Sequence, residues 1–583
     1  MLVRTHGGVI CITLILCMLS AARADVPWQD CALFSEDASL ETGSSPYVGP
    51  WGTSVPSELR TSVRQLYAAG KLKIGDNPVL SQCVNLTVPL FWENPNAGNI
   101  TVFVQRLFIG KPGKGQMWFL NGGPGGSGGD MLSGAVVGLL TLNGAVDIYL
   151  PDHRGTGKSS PMNCPTYNMT ACAAYVNATF GDNAHGYTPT EAARDVAFAI
   201  GQTRQAAEPV YVYGVSYGTY WANRFMMILS EPFFDKSSQP NAMVLDGVCP
   251  PDMCRMDSYD VHGNRVLLDL MTHCQRDSFC SSQFTALFGE LRNKPGWEAA
   301  AKVASFGMAE HAGSNGDADP LRFLFAVRQL LEGGDSQCAA ALNLRLWPTN
   351  TLYNLITDFA NRPIFPAFLF RLARCNADDI KALKAFFGLP PVGVAAARPS
   401  RLGFSEGLAT NIIVSEMYTG LTSPGTTCDG LNTLSQSDYV ATFEPGQICQ
   451  FRQVWNKYTP DSYLNEFASN VSFPVLLLNG DLDPATPFYW AEHAITKYQQ
   501  SQAYPNQFQL IVVPLSAHGT AFQSPTISQP TNATHIGTCG FQMTTSFFLS
   551  PNHVPDTSCL SDLLQIDWQG VSPDTQRVSQ NYF

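Results

Sequence analysis

The chain has 583 residues, of which 45% are hydrophobic and 14% are charged, the balance of a globular rather than a disordered protein. This length exceeds one small domain and indicates either a large core with an insertion or two to three domains. The formal net charge of -12 comes without any run of Lys or Arg, so nucleic acid is not expected as a partner.

The N-terminus has the pattern of a secretory signal peptide. Arg4 supplies a positive charge, an apolar run follows from Val9 to Leu19, and Ala22-Arg23-Ala24 forms a cleavage site before Asp25. An uncleaved membrane anchor is the alternative, but the run is shorter than an ordinary membrane-spanning helix. We therefore expect residues 1–24 to be removed. The mature protein would be extracellular, or lie in a vacuole-like or lysosome-like compartment, without a membrane anchor.

Short runs rich in apolar and β-branched residues predict the strands of an α/β domain, with a mostly parallel sheet buried on both faces. These runs cover residues 102–108, 116–120, 146–150, 210–213, 243–246, 475–478 and 510–513. The clearest helix signal is Thr188-Pro189-Thr190-Glu191, a capping box with Pro at the first helical position, which predicts a helix to about Ala207.

The alternation of strands and helices stops after Val248 and resumes near Phe473. We interpret residues 25–248 as an N-terminal segment and the first part of the core, and residues 469–583 as its second part. Between them, residues 249–468 form a helical, Cys-rich insertion. A separate C-terminal domain remains an alternative, since one Leu-rich strand is ambiguous.

Cysteine usage is consistent with secretion. Of sixteen cysteines, Cys11 and Cys17 lie in the signal, and the remaining fourteen are an even number, as expected if all pair. Proximity favours Cys31–Cys83, Cys164–Cys172 and Cys539–Cys559, while the eight in the insertion allow about a hundred different pairings. Six glycosylation sequons begin at Asn85, Asn99, Asn168, Asn177, Asn470 and Asn532.

Ser216 lies in a G-x-S-x-G motif, which occurs by chance too often to indicate a nucleophile without its context. The strand at 210–213 precedes it, and a helix is predicted from Tyr217 to Leu229, so Ser216 is expected at a sharp strand-to-helix turn. Such an elbow requires small residues at Gly214 and Gly218. The helix N-terminus would also direct amide groups toward the serine oxygen.

A serine nucleophile needs a base, and on an elbow of this kind the partners follow in the order Asp or Glu, then His. Asp483 and His518 each follow a predicted strand directly, at the edge of the sheet where sites of open α/β sheets collect. Asp481 competes with Asp483. The other histidines of the C-terminal third do not follow a strand directly; these are His493, His535 and His553.

A glycine-rich loop, residues 121–129, follows the strand at 116–120 and is suited to directing backbone amides at an oxyanion. It is not a phosphate loop, because no G-K-[ST] sequence follows. One oxyanion donor should be the amide of Tyr217 and the other should come from this loop. A second glycine loop, residues 152–160, is interpreted as structural, with Arg154 in a buried ion pair or hydrogen-bond network.

Four motifs together resemble the prolyl iminopeptidase and tripeptidyl aminopeptidase family of serine exopeptidases. They are G-G-P-G-G-S-G, D-x-R-G-T-G-x-S, G-V-S-Y-G-T and G-D-L-D-P-A-T-P, followed by A-H-G. The resemblance implies an α/β-hydrolase fold with a large helical cap. It further implies that Ser216 is the nucleophile, His518 the general base and Asp483 its orienting partner. The amides of Gly123 and Tyr217 would form the oxyanion hole, with no metal or organic cofactor.

The substrate implied by the resemblance is a peptide with a free N-terminus, but one departure is evident. Asn121 stands where prolyl iminopeptidases begin the glycine loop with His. Relatives hold the substrate amine with acidic side chains, for which Glu416 and Asp378 are candidates by charge alone; a solvated surface carboxylate is the alternative for each. A carboxylesterase or lipase would use the same triad, and a catalytically silent binding protein is a third reading.

Overall fold

The computed structural model describes most of residues 26–570. The described ranges are 26–34, 57–113, 115–165, 168–205, 208–291, 324, 327–328, 331–332, 337–342, 347–388, 404–418, 427–442, 444–501, 507–532 and 534–570. The predicted signal peptide lies outside these residues.

Ten strands occur within the described ranges. In chain order they are β1 (Gln29–Asp30), β2 (Lys73–Ile74), β3 (Asn77–Pro89), β4 (Asn99–Ile109), β5 (Gln116–Leu120), β6 (Asp147–Pro151), β7 (Val210–Val215), β8 (Ala242–Asp246), β9 (Val475–Gly480) and β10 (Phe508–Val513). Each of the seven strands predicted from apolar runs is present, with bounds that differ by at most a few residues. Sequence analysis did not identify β1, β2 or β3.

The strands form one mixed sheet in the order β1-β3-β4-β6-β5-β7-β8-β9-β10, with β2 paired to β3. Strand β4 is antiparallel to β3 and β6, whereas β6, β5, β7, β8, β9 and β10 are mutually parallel. Strand β9 pairs with β8 across the insertion, with Leu245 opposite Leu477. The segments before and after the insertion therefore contribute to one sheet.

The helices of the described residues flank the sheet and fill the insertion. They are α1 (Ser57–Ala68), α2 (Leu132–Thr141), α3 (Met169–Phe180), α4 (Pro189–Thr203), α5 (Tyr217–Ile228), α6 (Tyr259–Arg276), α7 (Ser278–Leu291), α8 (Gln337–Leu342), α9 (Thr349–Ile356), α10 (Ile364–Arg374), α11 (Ala377–Gly388), α12 (Glu406–Glu416), α13 (Cys428–Ser437), α14 (Glu444–Val454), α15 (Phe488–Ser501), α16 (Thr520–Gln523) and α17 (Cys539–Leu549).

Apolar side chains of the central strands pack alternately on the two faces of the sheet. In β5, Trp118 belongs to the core shared with α4, α5 and the insertion, whereas Met117 and Phe119 belong to the core shared with α2 and α17. Consecutive apolar residues therefore reflect burial on both sides. This helix-sheet-helix arrangement is the α/β-hydrolase fold that the motifs predicted.

The loop at 152–160 and helix α4 are joined by the buried ion pair expected for Arg154. Its guanidinium is fully buried and donates to both carboxylate oxygens of Asp195, at 2.7 and 2.6 Å. Helix α4 begins at Pro189, with the Thr188 hydroxyl accepting from the Glu191 amide at 3.1 Å. The Glu191 carboxylate instead accepts from the Trp92 amide and from Arg194, at 3.0 and 2.8 Å, so only the Thr188 half of the predicted capping box forms.

All fourteen cysteines of the predicted mature chain form disulfides. The three pairs expected from proximity are confirmed, and the insertion cysteines pair with their neighbours along the chain: Cys249–Cys254, Cys274–Cys280, Cys338–Cys375 and Cys428–Cys449. Seven disulfides are consistent with an oxidising compartment. Among the described helices, none has the length and apolar character needed to cross a membrane.

Candidate active site

Ser216 lies at the turn between β7 and α5, in a backbone conformation that side chains rarely adopt. Its φ and ψ are 59° and -130°, which for a non-glycine residue stores strain and indicates a surrounding structure that enforces the turn. A Cβ at Gly218 would lie 2.1 Å from the Leu120 carbonyl oxygen, and one at Gly214 would lie 2.7 Å from that of Gly218. The two glycines of the motif therefore permit the close packing of the elbow.

Asp483 and His518 are brought together by the loops that follow β9 and β10. The His518 Nδ1 donates to Asp483 Oδ2 at 2.9 Å. The carboxylate is fully buried and also accepts from the amides of Ala485 and Thr486, at 2.8 and 2.9 Å, and from the Thr486 hydroxyl at 2.7 Å. With the proton on Nδ1, the Nε2 lone pair of His518 is available as a base.

The pKa of His518 is raised above its ordinary value. Burial alone would lower the pKa, but the charge of Asp483 and its hydrogen bond, together with the charge of Asp246, outweigh burial and favour the imidazolium. A buried histidine stabilised in this way can accept a proton during a reaction.

Asp246, at the end of β8, connects the Ser216 elbow to the segment after His518. Its carbonyl oxygen accepts from the Ser216 amide at 2.9 Å. Its carboxylate accepts from the amides of Thr520 and Ala521, both at 2.8 Å. Burial raises the pKa of Asp246 to about 6. Sequence analysis missed this residue, although a carboxylate ending the apolar strand Ala242–Asp246 was a signal.

The next residue, Gly247, lies directly beside the histidine. A Cβ at Gly247 would lie 3.2 Å from His518 Cε1 and 2.8 Å from the Thr486 hydroxyl. The ends of β7, β8, β9 and β10 therefore bring the Ser216 elbow and the Asp483–His518 pair to the same edge of the sheet, as expected for residues that directly follow parallel strands.

The glycine loop passes against Ser216. A Cβ placed on Gly122 would lie 2.8 Å from Ser216 Cβ and 3.3 Å from its Oγ. The Asn121 side chain accepts from the Gly122 amide and donates to the Ser127 carbonyl, both at 2.7 Å, and so folds the loop. Gly123 follows with a φ of 120°. The roles of the Gly123 and Tyr217 amides as oxyanion donors stay predictions.

The insertion contacts this loop through the start of α12. The Ser405 amide donates to the Gly125 carbonyl at 2.8 Å, and a Cβ on Gly125 would lie 3.0 Å from Ala409 Cβ and 3.1 Å from the Phe404 ring. The cap is thus packed directly on the loop that borders Ser216, which restricts the approach from that side.

The two candidate amine-binding residues lie in different environments. Glu416, at the end of α12, is buried and accepts from Tyr220 (2.7 Å), Arg224 (2.9 Å) and Tyr458 (2.9 Å). Burial raises its pKa, against the opposing effects of the Arg224 charge and the tyrosine hydrogen bonds. Asp378 is exposed in the first turn of α11. A solvated carboxylate is therefore observed for Asp378 but not for Glu416, and an amine-binding role stays a prediction for both.

The rival histidines occupy other positions. His493 contacts Asp252 at 2.8 Å, His535 is partly exposed and contacts Gln529 at 3.3 Å, and His553 is exposed. For Asp481, the competitor of Asp483, burial raises the pKa to about 6, but His518 bonds to Asp483. Within the described ranges, no group of three or more His, Cys, Asp or Glu side chains is arranged to hold a metal ion.

Comparison with known families gives one match, to a family described as TAP-like protein, over residues 441–559. This region contains both Asp483 and His518. Comparison of the chain with curated proteins yields no match.

Several solved structures are similar over much of the chain at low sequence identity. A serine hydrolase from Cycloclasticus zankles is 12% identical, covering 75% of this chain and 91% of its own, with a TM-score of 0.26. An esterase from Exiguobacterium antarcticum is 15% identical, covering 72% and 90%, with a TM-score of 0.25. A mutant epoxide hydrolase from Vigna radiata is 14% identical, covering 75% and 93%, with a TM-score of 0.27. The sheet order, the elbow and the TAP-like segment together support a hydrolase of the α/β-hydrolase superfamily.

Proposed function

We propose that the protein is a secreted serine aminopeptidase that removes single residues or short peptides from the free N-termini of peptide substrates. The observation that carries this proposal is the convergence of a strained Ser216 elbow with the Asp483–His518 pair at one edge of the sheet. Acyl transfer through a serine ester uses a serine nucleophile, a histidine base and an orienting carboxylate, and this convergence supports such a role.

In the proposed reaction, Ser216 Oγ attacks the carbonyl carbon of the scissile peptide bond while His518 Nε2 accepts the hydroxyl proton. The Asp483 carboxylate stabilises the resulting imidazolium through the 2.9 Å bond to Nδ1. The amides of Gly123 and Tyr217 would donate to the oxyanion of the tetrahedral intermediate.

Collapse of the intermediate breaks the C–N bond, and His518 returns the proton to the leaving amine of the shortened peptide. Water, deprotonated by His518, then attacks the ester carbon. The bond to Ser216 Oγ breaks, the serine recovers its proton, and the N-terminal fragment leaves as a carboxylic acid.

Two observations support peptide ends as substrates. The insertion packs on the glycine loop through Ser405 and Ala409, which favours short or terminal segments over the middle of a long chain. The TAP-like match covers the segment that contributes both Asp483 and His518.

The test compares Ala-Ala-Phe-p-nitroanilide with its N-acetylated form, using the purified secreted protein and Ser216→Ala as the blank. Cleavage of the free-amine peptide alone, lost in Ser216→Ala, is the expected result. Cleavage of a short p-nitrophenyl ester but of neither peptide would replace the aminopeptidase proposal by an esterase. An unreactive Ser216 toward a fluorophosphonate probe would contradict both and favour the catalytically silent protein.

A further inference from the structure

We propose that Arg362, a residue of the insertion, is a positioning residue for the Asp483–His518 pair. This inference rests on the proposed function, because it assigns a role within the same site. Arg362 lies between α9 and α10 in the sequence, more than a hundred residues from either partner. Nothing in the spacing of the sequence motifs pointed to it.

Arg362 is fully buried, and its guanidinium binds the two loops that hold the pair. Its Nη1 donates to the Leu515 carbonyl at 2.7 Å. Its Nη2 donates to the Leu482 carbonyl and, at 3.4 Å, to that of Ser516. Its Nε donates to the Ile356 carbonyl within the insertion, at 3.1 Å. One side chain therefore joins the insertion to both loops.

The carbonyls that Arg362 contacts are close in sequence to the reacting pair. Leu482 immediately precedes Asp483, and Leu515 and Ser516 lie two to three residues before His518. Leu515 has a left-handed backbone with a φ of 59°, which a leucine adopts only when the surroundings enforce it. The bond from Arg362 to the Leu515 carbonyl is positioned to maintain that conformation.

A second contact from the same turn reaches the other side of the histidine. The Phe359 amide donates to the Gln523 side-chain oxygen at 3.2 Å, and Gln523 ends α16, the helix that follows His518. The turn of the insertion that carries Arg362 thus contacts the chain before and after His518.

Arg362 holds the two loops through a buried charged group and not through apolar contacts. Burial lowers its pKa to about 10, although the charges of Asp481, Asp483 and Asp358 oppose the shift. Burying a guanidinium is costly unless its donors are satisfied. Here the hydrogen-bond acceptors are backbone carbonyls, so the side chain fixes main-chain geometry in two loops at once, with a planar group suited to several acceptors.

The experiment measures the rate at which a fluorophosphonate probe labels Ser216, as a function of pH, in full-length Arg362→Met and Arg362→Lys. The matched control is Arg328→Met. Arg328 is also buried and donates to three backbone carbonyls, at 2.7 to 2.8 Å, but these belong to residues 436–438 of the insertion. The second readout is the pKa of His518, followed by NMR of histidine-labelled protein, which does not depend on reaction.

In Arg362→Met we expect labelling to be slower by about ten- to a hundredfold, since small displacements of reacting groups have effects of this size. The pKa of His518 should fall, because a looser bond to Asp483 removes the interaction that raises it. Arg362→Lys keeps the charge but cannot reach all the carbonyls, and should lie between. Arg328→Met should match the wild type in both readouts.

Wild-type rates and a wild-type His518 pKa in a folded Arg362→Met protein would overturn the inference. If Arg362→Met does not fold, Arg362→Lys decides by the same criteria. Failure of the wild type to label would instead contradict the proposed function. In that case the NMR titration still tests the positioning role. The role is supported if the pKa of His518 changes in the Arg362 variants but not in Arg328→Met, and it is contradicted if the pKa is the same in all of them.

Discussion

Neutralising Glu416 tests whether this carboxylate ties the cap to the core or binds the substrate amine. Glu416 and Arg224 join α12 to α5 through a 2.9 Å ion pair in which both side chains are about 1% exposed. Two tyrosine hydroxyls complete the shell of the carboxylate. In Glu416→Gln the shape is kept, but the Arg224 charge loses its buried partner.

The expected loss follows from that burial. Removing one member of a buried pair costs about 3–5 kcal/mol, and the value here should lie near the lower end, because Gln still accepts a hydrogen bond and Arg224 keeps a 2.9 Å contact with Asp461. With an unfolding entropy of about 2 cal/mol/K per residue, a loss of about 3 kcal/mol lowers the Tm by about 3 °C in a chain of this size.

The assay combines thermal unfolding at pH 7 with kinetics on Ala-Ala-Phe-p-nitroanilide and on a short p-nitrophenyl ester. The matched control is Glu332→Gln, which neutralises the partner of Arg328 at a side chain 37% exposed and should change stability by less than about 1 kcal/mol. If Glu416 holds the cap on the core, the variant should have a lower Tm, and its kinetic constants should change similarly for both substrates. An unchanged Tm with a raised KM for the free-amine peptide alone would refute this structural role of Glu416 and favour amine binding.

Three further predictions concern the site itself. The Thr486 hydroxyl donates to Asp483 at 2.7 Å, and a hydrogen bond to a charged group contributes about 1.5–3 kcal/mol. Thr486→Val should therefore lower kcat about tenfold, and Thr486→Ser much less. Equal rates in both variants would contradict this role. Gly122→Ala should nearly abolish labelling of Ser216, since the added Cβ would lie 2.8 Å from Ser216 Cβ; wild-type labelling would show that the loop can move aside. Burial raises the pKa of Asp152 from 3.8 to about 7, so the folded state binds the proton more tightly and stability falls as the pH rises from about 4 to about 7. In denaturant titrations over that range, the unfolding free energy of the wild type should fall by on the order of 3–4 kcal/mol relative to that of Asp152→Asn. If the two proteins show the same dependence of unfolding free energy on pH, the raised pKa of Asp152 is contradicted.

The core could be predicted from the sequence because its signals are local. Consecutive apolar residues mark the buried parallel strands, and G-V-S-Y-G places Ser216 between a strand and a helix that each have their own pattern. Strand β3 was missed although residues 84–88 alternate buried and exposed positions. This alternation is typical of a sheet with one solvated face, a pattern different from the continuous apolar runs that identified the other strands.

The contacts between the cap and the site could not be predicted, because they join residues far apart in the chain. Glu416 and Arg224 are separated by 192 positions, and Arg362 and Leu515 by 153. Charge alone suggested Glu416 and gave no reason to select Arg362. A buried arginine that binds carbonyls has no sequence signal, since the backbone offers the same acceptor at every residue.

These contacts bear on what the insertion does. It reaches the glycine loop through Ser405, the helix after the nucleophile through Glu416, and the Asp and His loops through Arg362. A lid that only controls access would be expected to contact the core through surfaces that separate easily, with few buried charges. Here each contact involves a buried polar group that would lose its partners on opening. We therefore expect the cap to act as a fixed part of the site, so that removing it would disorder the glycine, Asp483 and His518 loops rather than open the site to longer substrates.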